Sequence, residues 1–190
     1  DILDFGAIAD DPDLLEKTLL AATQQADVVI TSGGVSVGEA DHMKTLLSKH
    51  CQVLFWKINM KPGRPLAYGK IGEAHYFGLP GNPVAVMVTF YQFVRVALLT
   101  LMGQTQILPL PTFNVVCTEP IKKQSGRTEF QRGILYTDQD GSWKVKPTGN
   151  QGSAILSSMS KANCFIVLDE SAGNLDAGAT VAVQVLHGLI

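Results

Sequence analysis

Val28, Val29 and Ile30 form a short apolar run that Thr31, Ser32, Gly33 and Gly34 cut off. A run without alternation reads as a strand buried on both faces, the kind an α/β sheet contains. Upstream, Leu15, Leu19, Ala22 and Ala26 share one face at helical spacing, with Asp11 as N-cap and Pro12 in the first helical position. Downstream, Met43, Leu46, Leu47 and His50 repeat the helical period and lead to a strand over residues 52–60, QVLFWKINM. Strand, helix and strand make a β-α-β unit with the usual right-handed crossover. Residues 66–71 and 74–79 alternate around Gly72 and Glu73, which predicts a hairpin. Asn82 as cap and Pro83 behind it launch a helix to about Met102, apolar nearly all round and ended by Gly103. Residues 2–8 read as a further strand.

The pattern changes after a proline-punctuated linker over residues 107–111. Short strands are predicted over residues 112–118, 127–136, 143–147, 163–168 and 180–186, with a hairpin turn at Asp140-Gly141 and a helix over residues 153–160. This second part reads as a small β-barrel or sandwich.

Composition narrows the function classes. Fifteen basic against seventeen acidic side chains give a net charge of −2, so no global field favours nucleic acid or an anionic membrane. The three cysteines, Cys51, Cys117 and Cys164, lack disulfide or zinc-site spacing, which points to a reducing cytoplasm. The helix from Pro83 is long enough for a bilayer, but Gln92 and Arg95 near its middle argue instead for a core and a subunit interface, hence a dimer. No basic n-region precedes an apolar stretch. The opening on Asp1 reads as a segment of a longer protein, lacking earlier elements of its sheet.

Strand, glycine turn and helix together place backbone N–H groups at the carboxyl edge of a sheet, where an anionic ligand fits. A plain tight turn at Gly33-Gly34 is the competing reading. Ser32, Gly33, Gly34 and Ser36, with Gly38, Glu39 and Asp41, form the candidate loop. Asp10 faces the same edge or is one of two capping acids. On one strand, Lys57, Asn59 and Lys61 share a face, with the lysines roughly 13 Å apart, and Arg64 adds a third cation. Pro80, Gly81, Asn82 and Pro83 fix an unusual turn. Arg132, beside Gly133, and Ser153, closing the polar stretch TGNQGS, are a ligand pair or else a surface residue and an N-cap. Histidines 42, 50 and 75 and Cys51 read as structural, and no nucleophilic triad is suggested.

Five stretches in this order, SGGVSVGEAD, FWKINMKPGRP, GLPGNPVA, EFQRG and TGNQGSAILSS, closely resemble the carboxyl-terminal half of the MoeA family of molybdopterin molybdenumtransferases. The resemblance covers essentially the whole chain. It implies an α/β fold class: a three-layer molybdopterin-binding domain, incomplete at its N-terminus, over residues 1–106, and a β-barrel domain over residues 107–190. It further implies that Asp10, Asp41, Lys57, Lys61, Arg132 and Ser153 are active-site residues and that Pro80 and Pro83 frame a loop there. The implied activity is insertion of molybdenum from molybdate into adenylylated molybdopterin, with Mg²⁺ as cofactor and AMP released. Asp10 and Asp41 would be the metal ligands, and Ser32, Gly33, Gly34, Ser36, Pro80, Gly81, Asn82 and Pro83 the pterin contacts. A homodimer and a molybdopterin adenylyltransferase acting upstream are the implied partners. The alternatives are a non-catalytic molybdopterin-binding or scaffold module and a generic phosphate-binding α/β domain.

Overall fold

The structure is a computed structural model that describes residues 1–33 and 41–186, with only the backbone described at Asp41, Val53, Leu54 and Trp56. The chain divides into two compact units, Asp1–Ile58 with Gly63–Asn82, and Asn59–Pro62 with the residues from Pro83 on.

The first unit is mixed α/β. Helix α1 (Pro12–Thr23) begins as the sequence predicts: the Leu14 amide donates to Asp11 Oδ1 at 2.8 Å, and Pro12 needs no partner at the first position. β1 (Val28–Ser32), α2 (Asp41–His50) and β2 (Gln52–Lys57) follow; β3 (Met60–Lys61) belongs to the second unit, and β4 (Pro65–Ile71) and β5 (Ala74–Leu79) return to the first. The sheet order is β1-β5-β4-β2. β5 runs parallel to β1, and β4 is antiparallel to both β5 and β2. The β4–β5 hairpin turns at Gly72, whose φ of +58° is open to glycine, between Ile71 and Ala74 as expected. Leu19 and Ala22 of α1 and Met43, Leu46 and Leu47 of α2 pack with Val29, Ala67, Ile71 and Tyr76.

Three expectations are corrected here. Residues 1–9 form no strand, because their backbone joins no ladder. β1 and β2 run parallel but are not neighbours; the hairpin strands β5 and β4 separate them. The strand predicted over residues 52–60 stops at Lys57. The Ile58 amide donates to Arg64 O at 2.9 Å, and Asn59 Nδ2 donates to Gly126 O and Glu170 Oε1 at 3.1 and 2.8 Å, fixing the next residues to the second unit.

The second unit opens with an apolar helical stretch: α3 (Pro83–Thr89), a π turn over Phe90–Val94, and α4 (Arg95–Leu101). Thr89 Oγ1 donates back to Ala85 O at 2.8 Å just before the π turn. Then come β6 (Thr112–Cys117), β7 (Thr128–Thr137), β8 (Trp143–Pro147), α5 (Leu156–Lys161), β9 (Cys164–Leu168) and β10 (Thr180–Val185). The ladder β7-β8-β6-β10-β9 closes where β9 pairs with β7, making a five-stranded barrel, and β3 adds itself parallel to the start of β7. Period-two alternation fills the barrel, with Val115 and Cys117, Ile166, and Val181 and Val183 pointing inward. α5 starts three residues later than expected, after Ile155 and with no side-chain cap, so Ser153 is not its N-cap.

Candidate functional site

Parallel strands end at one edge of a sheet, and the first unit uses that edge. β1 ends at Ser32, β5 at Leu79 and β2 at Lys57, all three pointing the same way. The Gly33 amide donates to Leu79 O at 3.2 Å, and a Cβ at Gly81 would lie 3.7 Å from Gly33 Cα. The turn after β1 and the turn Pro80-Gly81-Asn82 after β5 are therefore adjacent. Gly33 has φ of +87°, a conformation side chains disfavour. Asp10, Thr31, Ser32 and Gly33 line one cavity of about 760 Å³ that runs between residues 3–8, α1 and β1. Thr31 is held there by Tyr76, whose hydroxyl meets Thr31 Oγ1 at 2.7 Å; burial pushes that phenol up to about 12. Lys57 stands two strands from β5, about 10 Å away, with its side chain exposed. The structure thus brings Asp10, Ser32, Gly33, Pro80, Gly81 and Asn82 to one region of the first unit, with Lys57 on the same edge. Gly34, Ser36, Gly38 and Glu39 lie outside the described residues. So does the side chain of Asp41, whose backbone opens α2.

Lys61, Pro83, Arg132 and Ser153 belong to the second unit. Lys57 and Lys61 therefore do not share a strand face. Lys61 Nζ lies 3.2 Å from Glu129 Oε1, the residue opposite it in the β3–β7 ladder. Arg132 is 1% exposed, and its guanidinium is bonded to groups of the chain itself. Nε donates to Ser158 Oγ at 2.9 Å, and Nη2 to Gly152 O at 3.0 Å and Asn150 O at 3.5 Å. Burial lowers its pKa to about 10. Gln151 completes the arrangement with both ends of its amide: Oε1 accepts from Arg132 N at 2.7 Å and Nε2 donates to Arg132 O at 3.0 Å. Asn150 Oδ1 accepts from Gly152 N at 2.9 Å. The loop carrying half-buried Ser153 is thereby locked to β7. Gly133 offers no approach to a ligand. A Cβ there would meet Cys164 Sγ and Ile166 Cγ1 at 2.9 Å, so it faces packed barrel interior.

Sequence reasoning missed Glu129, Gln131, Gln151 and Ser158. One signal was present: in EFQR, polar residues occupy both faces of a strand, so some had to be buried with partners. Among the described residues, no group of three or more His, Cys, Asp or Glu is placed to hold a metal ion. Mg²⁺, however, needs only one or two carboxylates, the rest of its shell being water and substrate oxygen, and exposed Asp10 on the cavity is a donor of that type.

Residues 1–100 match the family described as probable molybdopterin binding domain, and residues 114–186 match the MoeA C-terminal region, domain IV. The chain belongs to the MoeA family. It is 47% identical over its whole length to a molybdopterin molybdenumtransferase of Haemophilus influenzae, of which it covers 47%. It is 37% identical to a protein named Gephyrin from Dictyostelium discoideum, over 93% of this chain and 28% of that one. Among solved structures, the molybdopterin biosynthesis MoeA protein from Pyrococcus horikosii superposes with a TM-score of 0.77 at 27% identity, over 96% of this chain and 43% of that one. This MoeA chain thus spans less than half the length of these relatives. The α/β unit followed by a β-barrel is the architecture expected from the five motifs.

Proposed function

We propose that this chain supplies the pterin-binding and last barrel domains, residues 1–106 and 107–190, of an enzyme that inserts molybdenum from molybdate into adenylylated molybdopterin and releases AMP. The observation that carries this reading is identity of 47% along the entire chain to a protein with the transferase name. The chemistry of the residues suits it. Lys57 and Lys61 attract molybdate and the pterin phosphate, while the Gly33 amide, bonded to Leu79 O, holds the turn after β1 in shape. Asp10 and Asp41 would hold Mg²⁺, whose charge offsets that of the pyrophosphate link. Pro80, Gly81, Asn82 and Pro83 shape the turn beside the pterin. Ser153 donates one hydrogen bond to the ligand, while Arg132 acts through the loop it fixes.

The working form is a cytoplasmic homodimer fed by a molybdopterin adenylyltransferase. Its interface includes the helical stretch from Pro83 to Leu101, which is apolar enough for a membrane span but carries Gln92, bonded to Gln184 at 2.9 Å. The test is AMP release from adenylylated molybdopterin with molybdate and Mg²⁺, run on the full-length enzyme and on this 190-residue chain. Release by the full-length enzyme supports the transferase; pterin binding without release by either would move the assignment to a non-catalytic binding or scaffold module. Asp41→Asn in the full-length enzyme is expected to weaken the Mg²⁺ dependence, and unchanged dependence would remove Asp41 from the metal site.

A further inference from the structure

We propose that Glu129 is a positioning residue that anchors Lys61 for its anionic ligand; this rests on the transferase reading for the ligand's identity, while the anchoring rests on geometry alone. The side chain of Glu129 is 4% exposed and that of Lys61 is 46% exposed. A lysine with that much freedom ordinarily samples many rotamers, because its four-carbon stem holds a strongly hydrated point charge. Here one end of the pair is immobile. Glu129 sits in β7, bonded on both sides, with β3 on one edge and β9 on the other. Its Oε2 accepts from Gln131 Nε2 at 3.0 Å, and Gln131 Nε2 also donates to Lys122 O at 3.0 Å. Oε1 is left for Lys61 Nζ at 3.2 Å.

A carboxylate out of water needs a cation, and Lys61 supplies it. One ammonium proton is thereby directed at a fixed oxygen, and the other two are turned to the solvent side, where a molybdate or phosphate oxygen accepts them. The register fixes the pair from the backbone up: Lys61 and Glu129 are opposite residues of a parallel ladder, and Asn59, two positions earlier, is tied to Gly126 and Glu170. A neutral isostere keeps the shape and deletes the anchor. A shorter acid keeps the charge, which the flexible lysine can follow.

Charge anchoring and simple packing predict opposite orders for two variants. In the full-length enzyme, Glu129→Gln is expected to raise KM for adenylylated molybdopterin about tenfold, the worth of one charge-assisted hydrogen bond, with kcat within about twofold. Glu129→Asp should return KM to near the wild-type value. Lys61→Met should raise KM by itself, and adding Glu129→Gln to it should change nothing more. Wild-type kinetics in Glu129→Gln, a worse defect in Glu129→Asp, or additive effects with Lys61→Met would each overturn the proposal. A second readout needs no turnover: the rate at which acetic anhydride acetylates Lys61, followed by peptide mass spectrometry. It should rise in Glu129→Gln and fall back in Glu129→Asp. Should the wild-type enzyme release no AMP, the transferase reading fails on that result, and equal Lys61 labelling in all three proteins would separately overturn the anchoring.

Discussion

Arg132 holds a full charge inside the second unit with neutral partners, a hydroxyl and two carbonyls. Removing it relieves the cost of a buried charge but takes one hydrogen bond each from Ser158 Oγ and the carbonyls of Gly152 and Asn150, leaving Gly152 O with the Ile155 amide and Ser158 Oγ with Ile155 O. Arg132→Met is therefore expected to destabilise the protein by about 2 kcal/mol, measured by urea unfolding, and to lower activity through the 148–153 loop. An activity loss with unchanged unfolding would instead make Arg132 a ligand contact. Its neighbour gives a cleaner case. Gly133→Ala must push apart Cys164 Sγ, Ile166 Cγ1 and Val145 Cγ2, all within 3.0 Å of the new methyl, at a cost of about 1 to 3 kcal/mol. A melting temperature equal to wild type would show that the barrel yields more easily than its packing implies. At this scale the sequence exposed which residues were unusual without saying where their polar atoms went. Both Arg132 and Gly133 stood out in EFQRG, but their partners, Gln151 and Cys164, come from 19 and 31 positions further along the chain, and no local pattern links them.

Between helices, Glu16 of α1 joins Lys49 and His50 of α2, with Lys49 Nζ at 2.6 Å and His50 Nε2 on the same oxygen. Lys49 first, and His50 after it, hold the Glu16 carboxyl below its ordinary value. The folded state therefore binds that proton more weakly than the unfolded chain does. The contribution is complete above the ordinary carboxylate value and is lost as pH falls through the lower, folded value. Thermal melts between about pH 7 and about pH 3 should show Glu16→Gln with the lower melting temperature at neutral pH and the smaller loss in acid. Parallel curves for the two proteins would mean that the pair contributes nothing to acid sensitivity. Elements were legible where local chemistry set them: Asp11-Pro12 started α1, Gly72 turned the hairpin, and short strand-forming runs between turn residues marked the barrel strands. They were illegible where the cause was remote. Alternation through QVLFWKINM gave no sign of a break, because what parts β2 from β3 includes the bonding of Asn59 to Gly126 and Glu170. The π turn likewise follows a threonine bonding back along its own helix, which the apolar pattern does not show.

For the whole molecule, the decisive fact is how apolar surface is distributed. Each unit has its own buried cluster, yet Val96, Leu101 and Met102 on and just after α4 remain exposed, Met102 at 80%. A soluble chain rarely leaves an apolar helix face uncovered, so this face is expected to meet a second copy. The residue pattern of the helix points the same way: a stretch apolar on nearly every side needs two covers, and one core supplies only one. Sedimentation of the protein should give a dimer, and Val96→Glu with Leu101→Glu should give monomers whose circular dichroism is unchanged, because both side chains are exposed in the single chain. Monomers from the unaltered protein would leave that face without a cover and turn attention to the rest of the longer protein as its partner. Dimers from the double variant would move the interface elsewhere.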